Sequence, residues 1–126
     1  MNPEVLIVDD DRIFVTIQQR MVVMSGLHHS PRVFVNGREA LDFLGTSVGE
    51  DSFFLVLLDI NMPEMDGWEF LDAISGTFST DRVRVVVVSS SINVADKEKA
   101  KRYRHVISYL EKPIKPENLT ALKTVF

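Results

Sequence analysis

Four stretches of the chain end an apolar run on residues that can do chemistry. "VLIVDDDR" carries residues 5–8 straight into Asp9, Asp10 and Asp11. "VLLDINMPEMDG" runs into Asp59, "VVVVSSS" into Ser89, Ser90 and Ser91, and "SYLEKP" into Lys112. Carboxylates gathered in one pocket cannot all ionise without a large penalty unless a cation joins them. A hard divalent ion with oxygen ligands relieves that repulsion, and Mg2+ suits carboxylates combined with water and phosphate. The backbone carbonyl of Asn61, two residues past Asp59, can add a neutral oxygen ligand. A carboxylate can also attack phosphorus and form an aspartyl phosphate. Lys112 as a point charge and Ser89 as a hydroxyl donor suit the oxygens of a transferred phosphoryl group. Such transfer rests mainly on positioning and electrostatic stabilisation, and these are suitable parts for it.

The elements that carry these residues must bring them together. Runs at residues 5–8, 32–35, 53–58, 83–88 and 106–110 are short and β-branched, which reads as strands. The third and fourth are apolar almost throughout, as in strands buried on both faces of a parallel sheet. Helical spacing fills the gaps. The stripes are Ile13, Ile17, Met21 and Met24; Ala40, Leu41 and Leu44; Phe70, Leu71 and Ile74; and Leu119, Leu122 and Phe126. Each predicts an amphipathic helix with that face on the sheet. Residues 93–104, "NVADKEKAKRYR", carry only Val94, Ala100 and Tyr103 behind Asn93 as N-cap. They predict a weakly anchored helix. Strand and helix thus alternate about five times, which argues for an open, mostly parallel α/β sheet with helices on both faces. Such sheets bind ligands beyond the carboxyl ends of their strands, where strand order reverses. Strand two ends on the chemically bland Asn36-Gly37. If strands one, three, four and five are neighbours, one crevice holds carboxylates, a hydroxyl and an ammonium.

Composition narrows the function classes. The 126 residues suit one domain spanning 1–126, with 45% hydrophobic and 25% charged residues. No run approaches the ~20 apolar residues of a membrane helix. The start, Met1-Asn2-Pro3-Glu4, has no basic region and no signal-peptide core behind it. The absence of cysteine excludes disulfides and cysteine-ligated metals, and makes a reducing cytoplasm the expected location. A net charge of −4 lacks the basic footprint that nucleic-acid binding favours.

The order of "LIVDDD", "LLDINMPEMDG", "VVVVSSS" and "YLEKP" resembles the receiver domain of two-component response regulators, of the chemotaxis-receiver type, from Val5 to the C-terminus. The resemblance implies a flavodoxin-like, doubly wound, five-stranded parallel sheet with strand order 2-1-3-4-5. Asp59 is then similar to the phosphoacceptor. Asp9 and Asp10 match the acidic pair that places Mg2+, with Asp10 the direct ligand and Asp9 more often acting through water. Asn61 matches the residue giving a backbone carbonyl to the metal, Ser89 the switch hydroxyl, and Lys112 the phosphate-contacting lysine. Tyr109 matches the aromatic that moves inward on activation. A cis peptide is implied at Lys112-Pro113. The implied donor is a histidine kinase or a histidine phosphotransfer protein. The implied reader is a downstream protein on the face of the fourth helix, fifth strand and fifth helix, and a phosphorylation-dependent homodimer stays open. The domain is expected to be no enzyme beyond assisting its own phosphorylation and dephosphorylation.

Blander readings stand beside these. Asp11 is either part of the acid cluster or a helix N-cap, and the resemblance gives it no fixed role. Asp66 reads as a loop-shaping acid, Trp68 as packing at the start of the third helix, and His28-His29 as solvated. Lys97, Lys99, Lys101, Arg102 and Arg104 read as a solvated face or a docking surface. Two departures from the family pattern matter: serine at 89, where threonine is commoner, and "RYRHVISYL" where a small-residue turn often precedes strand five. Two further readings are a receiver fragment of a longer, DNA-binding transcription factor and a small Mg2+-dependent phosphohydrolase. The last helix is expected to stop at Phe126 with no output domain after it.

Overall fold

The computed structural model describes residues 3–47, 52–90 and 93–123. Ser91 and Phe126, named above, lie outside these residues.

Five parallel strands form the sheet: β1 (Glu4–Val8), β2 (Arg32–Phe34), β3 (Phe54–Leu58), β4 (Val83–Ser89) and β5 (Val106–Glu111). Their order is β2-β1-β3-β4-β5. The expected fold class and order are therefore found, and the strand bounds differ from the expected ones by one residue at most. Alternation along the strands sorts the core into two layers. Leu6, Val8, Val56, Leu58, Val85 and Val87 face one side, while Val5, Ile7, Leu55, Leu57, Val86 and Val88 face the other. Every residue of β3 is buried, which explains why its sequence shows no polar face.

Helices cover both faces. α1 (Arg12–Met24) and α5 (Pro116–Leu122) pack on the second layer through Val15, Val22, Leu119 and Leu122. α2 (Gly37–Ser47), α3 (Gly67–Ser75) and α4 (Val94–Ala100) pack on the first through Ala40, Leu44, Phe70, Leu71, Ile74 and Ala100. Local caps set several helix starts. Asp11 accepts from the N–H groups of Ile13 and Phe14, so this aspartate is an N-cap. Asp66 forms a reciprocal capping box with Glu69, and Asn93 caps α4. Asn36 Oδ1 takes the Glu39 N–H at the start of α2.

Three expectations need correction. Of the stripe Ile13, Ile17, Met21 and Met24, only Met21 packs against the core: Ile13 and Met24 are 78% exposed and Ile17 is 45% exposed. The buried face of α1 is Val15, Gln18 and Val22. This helix carries two apolar stripes, and the Asp11 cap together with the short turn from β1 sets its phase. The helix expected over residues 93–104 ends at Ala100, capped by Lys101, and turns lead on to β5. Its anchoring is weak as expected, since Ala100 is its only buried residue and Val94 is 69% exposed.

His28 is less solvated than expected, with its Nε2 3.2 Å from Glu4 Oε2 and its ring stacked on His29. Of the basic run, Lys97 pairs with Glu111 at 2.9 Å and Lys99 lies over the Trp68 ring. Trp68 stacks in turn on Tyr103, whose hydroxyl donates to Asp72 Oδ1 at 2.7 Å. These contacts tie the end of the α4 segment to α3.

Candidate functional site

The carboxyl edge of the sheet positions the reactive residues through the sheet ladder itself. The Asp9 N–H donates to Phe34 O, and the Asp59 N–H donates to Val8 O. Each aspartate is therefore the first residue past its strand, held by its neighbour. Val8 and Leu58 are register partners, so Asp9 and Asp59 come side by side. Single oxygens of Asp9, Asp10 and Asp59 all lie within 4.8 Å of one another. Asp9 and Asp59 are buried, while Asp10 is exposed.

One cation reaches this cluster among the described residues. Lys112 Nζ is 2.9 Å from Asp9 Oδ2 and 3.6 Å from Asp59 Oδ2. It also lies over the Phe14 ring, 4.4 Å from its centroid. The Lys112 N–H donates to Ser89 O, which fixes the end of β5 against β4, and the following Lys112-Pro113 peptide is cis. Asp9 Oδ1 accepts the Asp11 N–H at 2.9 Å, and Asp9 Oδ2 also accepts from Gln18 Nε2 at 3.3 Å.

Burial pushes the Asp59 carboxyl up to about 6, and the charge of Asp9 adds to the rise. Lys112 and the backbone N–H groups of Asn61 and Ile60 pull the other way without overcoming it. For Lys112, burial pulls downward, but the hydrogen bond to Asp9 and the charges of Asp59, Asp9 and Asp11 leave the ammonium above the usual lysine range. The pocket thus holds more negative charge than one lysine neutralises. An all-oxygen set of three carboxylates with excess charge fits a hard divalent cation.

The loop after Asp59 is fixed by close backbone contacts. Glu64 takes a positive φ of 64° in a turn closed by the Met65 N–H on Pro63 O. The Gly67 N–H returns to Ile60 O. A Cβ at Gly67 would stand 2.7 Å from Ile60 Cα and 2.8 Å from Asp59 O, so only glycine fits there. Pro63 and Gly67 do shape this loop, as their types suggest.

The other expected residues fall at the same edge. Ser89 is the last residue of β4 and fully buried. Asn61 is exposed, with its N–H directed at the Asp59 carboxylate. Tyr109 is half-buried on β5, with Lys97 Nζ 5.8 Å from its ring centre. Sequence reasoning missed Gln18 and Phe14. The signal for Gln18 was available: Val15, Gln18 and Val22 are spaced as a buried face, with an amide in the middle.

The family model of the response regulator receiver domain matches residues 5–123. The chain belongs to this family. The receiver is 34% identical to the transcriptional regulatory protein CitT of Halalkalibacterium halodurans over 92% of its own length and 48% of that protein. It is 29% identical to the two-component response regulator ORR11 of Oryza sativa, covering 95% of itself and 78% of that protein. With the transcriptional regulatory protein ZraR of Escherichia coli the identity is 34%, over 95% of the receiver and 25% of ZraR. The chain therefore spans about half of CitT and a quarter of ZraR.

Among solved structures, a two-component response regulator from Cytophaga hutchinsonii superposes with a TM-score of 0.86 at 27% identity, covering 98% of the receiver and 95% of that chain. A response regulator receiver protein from Dyadobacter fermentans gives 0.84 at 31% identity, covering 97% and 95%. The family is a signalling one rather than a typical enzyme family, and its members work with kinases and downstream effectors. No helix among the described residues is long and apolar enough to cross a membrane.

Proposed function

We propose that Asp59 is the phosphoacceptor of this receiver, and that Asp9, Asp10, Asp59 and the Asn61 carbonyl hold Mg2+. The observation that carries the reading is the meeting of three carboxylates with one ammonium at one edge of the sheet. Bound Mg2+ would offset the charge that builds on the phosphoryl oxygens. An Asp59 oxygen attacks the phosphorus of a phosphohistidine. The P–N bond breaks, and its electron pair leaves on the imidazole nitrogen, which then takes a proton. Lys112 and Ser89 stabilise the phosphoryl oxygens, and Asn61 and Ile60 orient the attacking carboxylate through their N–H groups. Phosphorylation then biases Tyr109 and α4, the element with the thinnest apolar anchor. The chain works as a single receiver domain over 1–126.

The donor is a histidine kinase or histidine phosphotransfer protein, and the reader is a downstream protein or effector segment on the face of α4, β5 and α5. A donor charged from nucleotide is a cytoplasmic partner, and the same compartment is proposed for the receiver. The exposed stripe of α1 gives the donor a place to dock. It begins at Ile13, beside the acid cluster, and borders a groove of about 440 Å³ against α5 lined by Ile17, Arg20, Met21, Met24, Pro116 and Thr120. A receiver placed inside a longer transcriptional regulator is a second reading, favoured by the partial coverage of CitT and ZraR.

The test is to incubate the chain with Mg2+ and a small acyl phosphate and follow the intact mass. One phosphoryl adduct that requires Mg2+ and decays is the expected result, with Asp59→Asn left unlabelled. Full labelling of Asp59→Asn at the same site would overturn the assignment. Steady phosphate release from simple esters would instead mark a phosphohydrolase.

A further inference from the structure

We propose that Gln18 is a positioning residue for Asp9: its amide holds Asp9 Oδ2 when Lys112 leaves that oxygen for the group on Asp59. The inference rests on the receiver chemistry just described and extends it to a residue outside the expected site.

Gln18 is 1% exposed, on the face of α1 that packs against the sheet between Val15 and Val22. A buried amide needs partners, and Gln18 Oε1 has none among the described residues. Helix packing alone would be served as well by leucine or methionine, which leave no buried acceptor unsatisfied. Among the described residues, the one hydrogen bond that uses the amide is Nε2 to Asp9 Oδ2, at 3.3 Å.

That oxygen has a second donor, Lys112 Nζ, at 2.9 Å. The two donors differ in kind. Gln18 is neutral and fixed on a helix. Lys112 is charged, sits on a long flexible stem, and is already 3.6 Å from Asp59 Oδ2. If Lys112 turns toward a phosphoryl oxygen on Asp59, Asp9 keeps the Asp11 N–H on Oδ1 and Gln18 on Oδ2. Its carboxylate plane then stays in place. Without Gln18, departure of the ammonium would strand a buried charged oxygen, so Lys112 would be retained on Asp9. Outer partners that orient ligating groups commonly act in this way.

The variant Gln18→Met keeps the length of the side chain and removes its donor. Three quantities are compared with the wild-type chain: the labelling rate at saturating Mg2+ with a small acyl phosphate, Mg2+ affinity of the unphosphorylated protein by calorimetry, and Tm. The expected result is a rate lower by roughly ten-fold, weaker Mg2+ binding, and a Tm at or above that of wild type. In a Lys112→Ala background Gln18 is the one remaining side-chain donor on Asp9 Oδ2 among the described residues, so the same substitution should weaken Mg2+ binding at least as much as it does in wild type. Equal rates and affinities in the single variant and wild type would overturn the proposal, as would an unchanged Mg2+ affinity when Gln18→Met is added to Lys112→Ala. If Gln18→Met fails to fold, Gln18→Leu supplies the same comparison. A wild-type chain that never labels would sink the receiver reading and this inference together, whereas a labelling wild type with an unchanged variant sinks this inference alone.

Discussion

Lys112 Nζ and Asp9 Oδ2 stand 2.9 Å apart, so the lysine expected to grip a phosphoryl group is held, before any transfer, by an acid one strand away from Asp59. The pair is largely buried on both sides. Lys112→Ala leaves Asp9 and Asp59 facing each other without a cation. Breaking such a pair from one side is strongly destabilising, so the metal-free unfolding free energy should fall by about 3 kcal/mol at neutral pH. Mg2+ should then stabilise the variant more than wild type. Denaturant curves with and without Mg2+ check both points, and unchanged metal-free stability would mean that the acids do not depend on the ammonium.

Asp59 predicts an unusual pH dependence for the metal-free protein. Its folded pKa of about 6 lies above the ordinary 3.8, so the folded state binds the proton more tightly than the unfolded state. This group's contribution is therefore fully present at low pH and is lost as pH rises from about 4 to about 6. After discounting for solvent screening, the loss is on the order of 1–2 kcal/mol. Asp59→Asn should abolish that slope, and excess Mg2+ should flatten it in wild type. Urea midpoints across this range measure it, and a wild-type curve parallel to that of Asp59→Asn would refute the prediction.

Gly67→Ala should damage fold and site together. The added methyl meets Ile60 Cα and Asp59 O, backbone atoms that cannot rotate away. A loss of about 3 kcal/mol is expected, with slower labelling of Asp59, because the displaced backbone is that of the acceptor itself. Gly45→Ala is the control, since a Cβ there meets nothing within 4 Å.

Tyr103→Phe should loosen one end of the α4 segment. The lost hydrogen bond to Asp72, at 2.7 Å, stabilises by about 1 kcal/mol. Burial and that bond push the Tyr103 hydroxyl up to about 12, so it remains a donor throughout the physiological range. Amide exchange should quicken in Val94–Ala100 and stay unchanged in β3. Equal rates in the variant and wild type would show that the contact does not anchor the segment.

Ile17→Asp separates docking from chemistry. Ile17 is exposed on α1 and packs into neither core layer. Stability and labelling by a small acyl phosphate should be unchanged, while transfer from a phosphohistidine donor protein should slow by roughly ten-fold or more. Equal transfer rates would move the donor's footprint off this stripe.

The strand ends were legible because parallel strands place their reactive residues at one edge, and Asp9, Asp59, Ser89 and Lys112 each follow or close an apolar run. The capping role of Asn93 was equally local, whereas Asp66, read as a loop-shaping acid, is the N-cap of α3. The phase of α1 was not legible. Ile13, Ile17, Met21 and Met24 make the longer apolar stripe, yet the sheet takes Val15, Gln18 and Val22. Periodicity gives the number of faces, whereas the cap and the strand before it choose among them. The end of α4 at Ala100 was hidden for another reason. No glycine or proline marks it, and it is set by Tyr103 turning toward Trp68 and Asp72.

The ladder bonds of Asp9 and Asp59 have a mechanical meaning. Both acids continue the central strands β1 and β3, Asp9 bonded to Phe34 of β2 and Asp59 to Val8 of β1, so they form the fixed jaw of a vice. Lys112 follows β5, an edge strand whose register with β4 shifts between Val85 and Val86, so that Ile107 has no register partner. The acids and the lysine that answers them are thus carried by unequal parts of the sheet, strands paired along both edges against a strand paired along one.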